Sequence, residues 1–371
     1  MEDRLTRLRS LLKQHQLDAM VLNPGPTLTY LTGLQFHLME RPTLAIFTAA
    51  GETGLILPAL EKQKLEGLSF PLQVFSFEDD PAGWGQVFQT AFGRLIAPAA
   101  RCAVEPNRLR YLELMLMQPA APDAVWTDGS AVLEALRMCK DQAEISKMRR
   151  AAEIAQEALL RTLRITKPGM TEKQVAAELV INLFRCGSDV ELPFEPIVSS
   201  GSNTANPHAA PSERELRDGD LLLLDWGAGY LGYFSDITRT FTIGTVSEEL
   251  RHIGEIVQAA NARGRETGRP GITAGQVDQA AREVIEHAGY GPWFTHRLGH
   301  GLGIEAHEAP YIHSANSLRL QPGMTFTVEP GIYLPEQGGV RIEDDVVVSE
   351  SGLVSLTDLP REVRPLESMW G

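Results

Sequence analysis

Cysteine is scarce in this 371-residue chain: Cys102, Cys139 and Cys186 are scattered, odd in number, and none sits in a CxxC pair. That pattern indicates neither a disulfide framework nor a zinc ribbon, and it suits a reducing compartment, so a cytoplasmic location is expected. Basic charge is also in deficit, with 34 Lys and Arg against 48 Asp and Glu and a formal charge of −14. A surface with a pI near 5.2 is a poor match for nucleic acid or an anionic membrane, and neither is expected as a partner. No apolar run reaches membrane-spanning length, and no charged-then-apolar signal follows Met1. What remains is ordinary soluble material, 43% hydrophobic and 22% charged. Its length exceeds one ordinary core, so two domains are expected.

Histidine is concentrated in one place. The stretch Thr295-His-Arg-Leu-Gly-His-Gly-Leu-Gly-Ile-Glu-Ala-His307 holds His296, His300 and His307, three of nine in the chain. Gly299, Gly301 and Gly303 disfavour a regular helix there, and they allow the backbone to pass close to a ligand or metal. His252, His287 and His313 read as surface residues on a helix, a helix end and a loop.

Residues 1–135 alternate between helical and strand patterns and predict a small α/β domain without a nameable motif. A long helix follows over 142–164, with Ile145, Met148, Ala152, Ile154 and Leu159 on its buried side. From there the chain repeats itself. Lys167-Pro-Gly-Met-Thr-Glu-Lys-Gln-Val175 is echoed by Arg269-Pro-Gly-Ile-Thr-Ala-Gly-Gln-Val277. Thr171 with Gln174, and Thr273 with Gln276, form capping boxes that open helices ending at Gly187 and Gly289. About a hundred residues also separate two buried strands that end in a carboxylate, Leu221–Asp225 and Met324–Glu329. Two related α+β halves about a pseudo-twofold, in a domain spanning 136–371, are the expected architecture.

The carboxylates carry the chemistry. Folding 220–226 against 235–243 brings Asp225 and Asp236 together, and a hairpin centred on 334–339 brings Glu329 near Glu343. Like charges facing each other destabilise a sheet unless cations lie between them. Four acids and His300 form a mostly hard donor set that suits Mn, Co or Fe better than a structural zinc. Four negative charges match two divalent cations, which can share a catalytic water and clamp a carbonyl. A rival motif, Gly227-Ala-Gly-Tyr-Leu-Gly232, fits GxGxxG, but an alternating β-branched segment follows it where a dinucleotide fold needs a helix. A non-catalytic binding protein that keeps the fold is a third reading, and five intact ligand residues oppose it.

These segments resemble the aminopeptidase P and prolidase branch of the pita-bread metallopeptidases. The resemblance rests on Asp225-Trp-Gly, Ser235-Asp-Ile-Thr-Arg239, His296-Arg-Leu-Gly-His-Gly-Leu-Gly303, Val328-Glu-Pro-Gly-Ile-Tyr333, Val340-Arg-Ile-Glu-Asp-Asp345 and the opening Lys140–Arg149. It covers about residues 138–371 well; the first 135 residues match the creatinase/prolidase N-terminal domain only in length and alternation. The resemblance implies metal ligands Asp225, Asp236, His300, Glu329 and Glu343. It implies that His208 and His307 contact the scissile amide and the oxyanion, that His296 lines the proline side, and that Arg341 holds the site's carboxylates or a substrate carboxyl. Glu329 is the expected proton shuttle. The expected activity is hydrolysis of Xaa-Pro in short peptides, with two divalent ions (Mn first, Co or Zn as alternatives), by a homodimer. Longer-peptide aminopeptidase action and a dipeptidase without strict proline preference remain alternatives. In the polar loop 33–41, His37 or Arg41 is expected to reach a substrate carboxylate.

Overall fold

The computed structural model describes residues 2–68 and 70–369, and the chain divides into two units between Arg137 and Met138. The first unit runs α1 (Glu2–Gln14), β1 (Ala19–Leu22), α2 (Pro26–Thr32), β2 (Leu44–Thr48), β3 (Thr53–Pro58), β4 (Gln73–Phe77), α3 (Trp84–Leu95), β5 (Arg101–Val104), α4 (Tyr111–Ala120), β6 (Val125–Asp128) and α5 (Ser130–Arg137). Its strands make one mixed sheet in the order β4-β3-β2-β1-β5-β6. The β1–β2 and β2–β3 pairs are antiparallel; the other neighbours are parallel. β5 and β6 are linked through α4, the kind of crossover that parallel neighbours require. Phe88 and Phe92 of α3 are fully buried, and Phe92 meets Trp126 edge-on at 6.0 Å.

The loop after α2 has no regular structure, and its guanidinium is engaged. Arg41 Nε and Nη2 donate to the two oxygens of Asp79 at 2.6 and 3.0 Å, and Nη1 donates to Glu40 at 2.5 Å. Arg41 is thus engaged by two exposed acids of its own unit. Asp79 lies 38 residues away, a partner that sequence spacing does not reveal.

The second unit continues with α6 (Gln142–Leu163), α7 (Glu172–Arg185), β7 (Ile197–Ser200), β8 (Leu221–Trp226), the short β9 (Gly229–Tyr230) and β10 (Tyr233–Phe234), and β11 (Ile237–Thr242). Then come α8 (Glu248–Thr267), α9 (Ala274–His287), β12 (Gly299–Gly301), β13 (Glu308–Ile312), β14 (Thr325–Val328), β15 (Gly331–Leu334), β16 (Gly338–Arg341), β17 (Asp344–Val348), β18 (Leu353–Ser355) and β19 (Arg364–Pro365). Two larger sheets result, β19-β11-β8-β7 and β13-β12-β14-β17-β18. Each has its own apolar cluster, the first formed with α6 and α7, the second with α8 and α9.

The sequence repeat is a structural repeat. Both capping boxes form, at Thr171 and at Thr273, and Gly187 and Gly289 follow the helices with φ of 98° and 87°. The first turn of each helix docks on the same kind of loop. Glu172 N donates to Arg214 O and Lys173 N to Ser212 O; Ala274 N donates to Leu318 O and Gly275 N to Asn316 O.

One sequence reading changes and another holds. The glycines at 299 and 301 lie in β12, where a Cβ would collide with the carbonyl oxygens of Thr327 and Ala309. They serve the close approach of neighbouring strands rather than of a ligand. After Gly232 the chain enters β10 and β11, so the GxGxxG match lacks its helix. Among the described residues, no helix is long and apolar enough to cross a membrane.

Candidate metal centre and active site

Strand alternation aims the first two acids. Asp225 sits in β8 opposite Thr238 of β11, and the next residue, Trp226, points to the other face. The Trp226 ring is fully buried and donates Nε1 to Ala155 O of α6 at 2.9 Å, which fixes the strand. Asp236 immediately precedes β11, and its N–H donates to Asp345 Oδ2 at 2.9 Å. In the second half, Glu329 follows β14, with its N–H donated to Leu298 O. Glu343 precedes β17 and is tied to β11 three times. Its N–H donates to Thr238 O at 3.1 Å, Thr238 Oγ1 donates to its Oε2 at 2.5 Å, and Arg239 Nη1 donates to its carbonyl at 2.5 Å.

His300, in the middle of β12, places Nε2 3.3 Å from Glu329 and 3.7 Å from Asp236. Its ring lies 3.8 Å, centre to centre, from that of His307. Ligand atoms fall within 4.8 Å of one another in three overlapping groups: Asp225, Asp236, Glu343; His300, Glu329, Glu343; and Asp236, His300, His307. The five residues singled out as ligands therefore converge, and His307 stands beside them. His208 belongs to none of these groups but lines the same cavity, as do His296, His307 and Arg341.

Burial sets the electrostatics. Desolvation, then the neighbouring acids, push Asp236 and Glu343 well above the usual carboxylate range. Burial pushes Glu329 up to about 7, with Arg341 opposing. Burial also lowers His300 to about 3 and His296 to about 4, and it lowers His307, so the three imidazoles are neutral at neutral pH. At an effective dielectric of about 20, like charges about 4 Å apart repel by about 4 kcal/mol. Arg341 is the one cation paired with this cluster among the described residues, and it meets only Asp225, at 2.5 Å. Asp225 Oδ1 is buried with no hydrogen-bond partner. Unsaturated oxygens, crowded acids and neutral imidazoles fit divalent cations.

The Arg341 guanidinium makes four hydrogen bonds within the protein. Nη2 donates to Asp225, Nε to Thr238 Oγ1, and Nη1 to Tyr333 OH and Pro207 O. Of the two roles expected for it, holding a site carboxylate is the one this geometry displays, through Asp225. His296 is likewise engaged at both ring nitrogens, with Arg297 O at 2.7 Å and Tyr333 OH at 2.9 Å. It offers the cavity a ring surface rather than a free nitrogen.

Several residues were not singled out from sequence. Thr238 shares Asp236's strand face two positions on, and alternation could have flagged it. Asp345, fully buried behind Asp236, sits in a run of acids where spacing does not rank one above another. Arg297 lies between two marked histidines and lines the cavity. Its guanidinium packs on the Tyr311 ring at 4.6 Å, and no carboxylate pairs with it among the described residues.

Comparison with known proteins agrees with this geometry. The model of metallopeptidase family M24 matches residues 146–350, and that of the creatinase/prolidase N-terminal domain matches residues 4–139. The chain belongs to metallopeptidase family M24. It is a hydrolase of peptide bonds, with the N-terminal creatinase-type domain and the pita-bread catalytic domain of that group. A protein named probable dipeptidase from Mycobacterium tuberculosis is 38% identical over 351 residues, covering 94% of this chain and 92% of that protein. An Xaa-Pro dipeptidase from Lactobacillus delbrueckii is 32% identical over 363 residues, covering 98% of each. The crystal structure of a dipeptidase from Pyrococcus horikoshii superposes with a TM-score of 0.92 at 38% identity, covering 98% of this chain and 99% of that one. The family implies divalent metal use, and the metallopeptidase has an acid and histidine cluster able to serve it.

Proposed function

We propose that this metallopeptidase is an Xaa-Pro dipeptidase that works with two divalent ions, manganese first among them, as a cytoplasmic homodimer. The observation that carries this reading is a single cavity of about 670 Å³ lined by the acid cluster, by neutral imidazoles and by Arg297. Its other walls include Phe194, Pro196, Ile197, Pro207 and Ala209, an apolar surface suited to a pyrrolidine ring.

Asp225, Asp236, His300, Glu329 and Glu343 would hold the ions. When bound, the ions supply an activated water near neutral pH and neutralise charge developing on the carbonyl oxygen. Glu329 would accept the proton from the water on its carboxylate and pass it to the leaving nitrogen. His307 and His208 donate N–H to the developing oxyanion, and the His307 imidazole can do so while neutral. His296 lies against the proline ring. Arg297 takes the free carboxylate of the dipeptide with a charge-assisted hydrogen bond.

The test compares Xaa-Pro, Xaa-Ala, Xaa-Pro-Yaa and Xaa-Pro amide in wild type and in Arg297→Ala. Arg297→Ala is expected to raise KM for Xaa-Pro about 10–100-fold, as the loss of a hydrogen bond to a charged group does, and to leave the amide unaffected. Equal loss on both substrates removes Arg297 from the carboxylate. Preference for Xaa-Pro-Yaa in wild type makes the enzyme a longer-peptide aminopeptidase, and equal rates on Xaa-Ala remove the proline requirement.

A further inference from the structure

His208 is exposed at the tip of the segment between β7 and β8, and its ring makes no hydrogen bond among the described residues. Its N–H donates to Asn206 Oδ1, and Pro207 O accepts from Arg341, but nothing grips the imidazole itself. The ring's place in the cavity therefore depends on the backbone that carries it.

Gly339 N donates to Thr204 Oγ1 and Arg341 to Pro207 O within that backbone, and one carboxylate binds both of its ends. Glu172, the first residue of α7, is fully buried. Its Oε1 accepts from Ser200 N at 2.6 Å, Ser200 Oγ at 2.8 Å and Asn203 Nδ2 at 3.0 Å. Its Oε2 accepts from Asn203 Nδ2 at 3.1 Å, Ser212 N at 3.0 Å and Ser212 Oγ at 2.6 Å. Residues 200 and 212 are the two ends of the segment that carries His208. Glu172 bridges the two ends directly, beside Arg214, whose Nη1 donates to Ser200 Oγ and whose N–H donates to Ser212 Oγ; the charge of Glu172 is offset by donors rather than by an ion pair. Such charge-assisted bonds are short and roughly twice as strong as neutral ones.

The other half of the unit supplies an internal control. α9 docks its first turn on the loop 316–318 with the same two backbone hydrogen bonds and the same capping box, yet it carries Ala274 where α7 carries Glu172. Helix docking thus does not require the carboxylate.

We propose that Glu172 is a positioning residue for catalysis, stapling both ends of residues 200–212 so that the His208 imidazole is fixed in the cavity. The proposal rests on the reading of His208 as an oxyanion donor.

The test uses metal-loaded full-length enzyme carrying Glu172→Gln or the milder Ser212→Ala, each alone and with His208→Ala. The readouts are kcat and KM on Xaa-Pro, bound metal, and amide hydrogen exchange over 201–211. Glu172→Gln is expected to lower kcat about 10–100-fold, as loss of a group that orients catalytic residues does, with KM and metal content kept and exchange over 201–211 accelerated. In the His208→Ala background that loss of kcat should vanish, because two residues acting as one unit are not additive. An equal loss in both backgrounds overturns the proposal, as does faster exchange with unchanged kcat. If Glu172→Gln does not fold, Ser212→Ala decides on the same criterion, with a smaller loss expected. If His208→Ala alone leaves kcat unchanged, the oxyanion reading fails and the catalytic clause with it; unchanged exchange in Glu172→Gln refutes the staple separately.

Discussion

The two halves of the catalytic unit share a plan and differ in what they add to it. Each opens a helix with a Thr–Gln capping box, docks it on a loop, and ends a buried strand in a carboxylate. In the first half the loop beyond that helix bears His208, and Glu172 closes it. In the second, β12 and the turn after it bear His300 and His307, and His307 is followed by Glu308, paired with Lys140 at 2.5 Å in the interior. The shared parts make a scaffold and bring Asp225 and Glu329 to the cavity, and the unshared parts add its histidines. A buried charge that one repeat keeps and the other dispenses with is better explained by the work of its own loop than by the needs of the fold.

The sharpest way to break this comparison is to disable one half at a time. Asp236→Ala and Glu343→Ala should each reduce activity to background while far-UV circular dichroism stays native-like, because the candidate cation site draws on both halves. Retained activity in either variant would show that the site belongs to one half alone. Next in size, His208→Ala and His307→Ala should each lower kcat about 100–1000-fold, the cost of one oxyanion donor, with metal content measured in parallel. Loss of metal in His307→Ala would move that residue from the oxyanion to the ligand set, which its proximity to Asp236 and His300 allows.

Removing metal should expose the charge crowding. In the folded, metal-free site Glu329 is raised to about 7, and Asp236 and Glu343 are raised too. A carboxyl raised on folding adds stability below its unfolded pKa, about 4.5, and loses it as pH climbs through the folded value. The Tm of chelated protein should therefore fall as pH rises from about 4.5 past 7. Metal binding requires the deprotonated ligands, so the gap between metal-loaded and chelated Tm should widen over the same range. Calorimetry at several pH values checks this, and a constant gap would mean that the acids are not pushed upward. The smallest effect concerns the scaffold itself. Thr171→Ala and Thr273→Ala should each cost about 1 kcal/mol, the usual value of an N-cap. Thermal denaturation should find them nearly equal; a large inequality would mean that the repeats do not share their caps' role.

Much of this was legible in the sequence. The capping boxes, the buried strands ending in Asp225 and Glu329, and the hairpins returning to Asp236 and Glu343 follow from local pattern and repetition, and these place the acids near one another. Other features depend on partners distant in the chain. Arg41 finds Asp79, Asp345 supports Asp236 across 109 residues, and Glu172 gathers Ser200 and Ser212. Periodicity reports which face a side chain occupies, but not which distant donor waits there. Gly299 and Gly301 were misjudged for the same reason: the atoms that exclude a Cβ belong to other strands.

The seam between β11 and the segment 343–345 has a kinetic consequence. Glu343 is held there by Thr238 and Arg239, and Asp236 by Asp345, so the link that joins the two sheets also carries two of the expected cation ligands. The sheets cannot part at this seam without disturbing those residues, and a cation held by them would add a tie between the two halves. If those residues hold a cation, its escape should be coupled to local opening of the two halves. The bound lifetime of the metal should rise and fall with the mechanical strength of a few hydrogen bonds that never touch it.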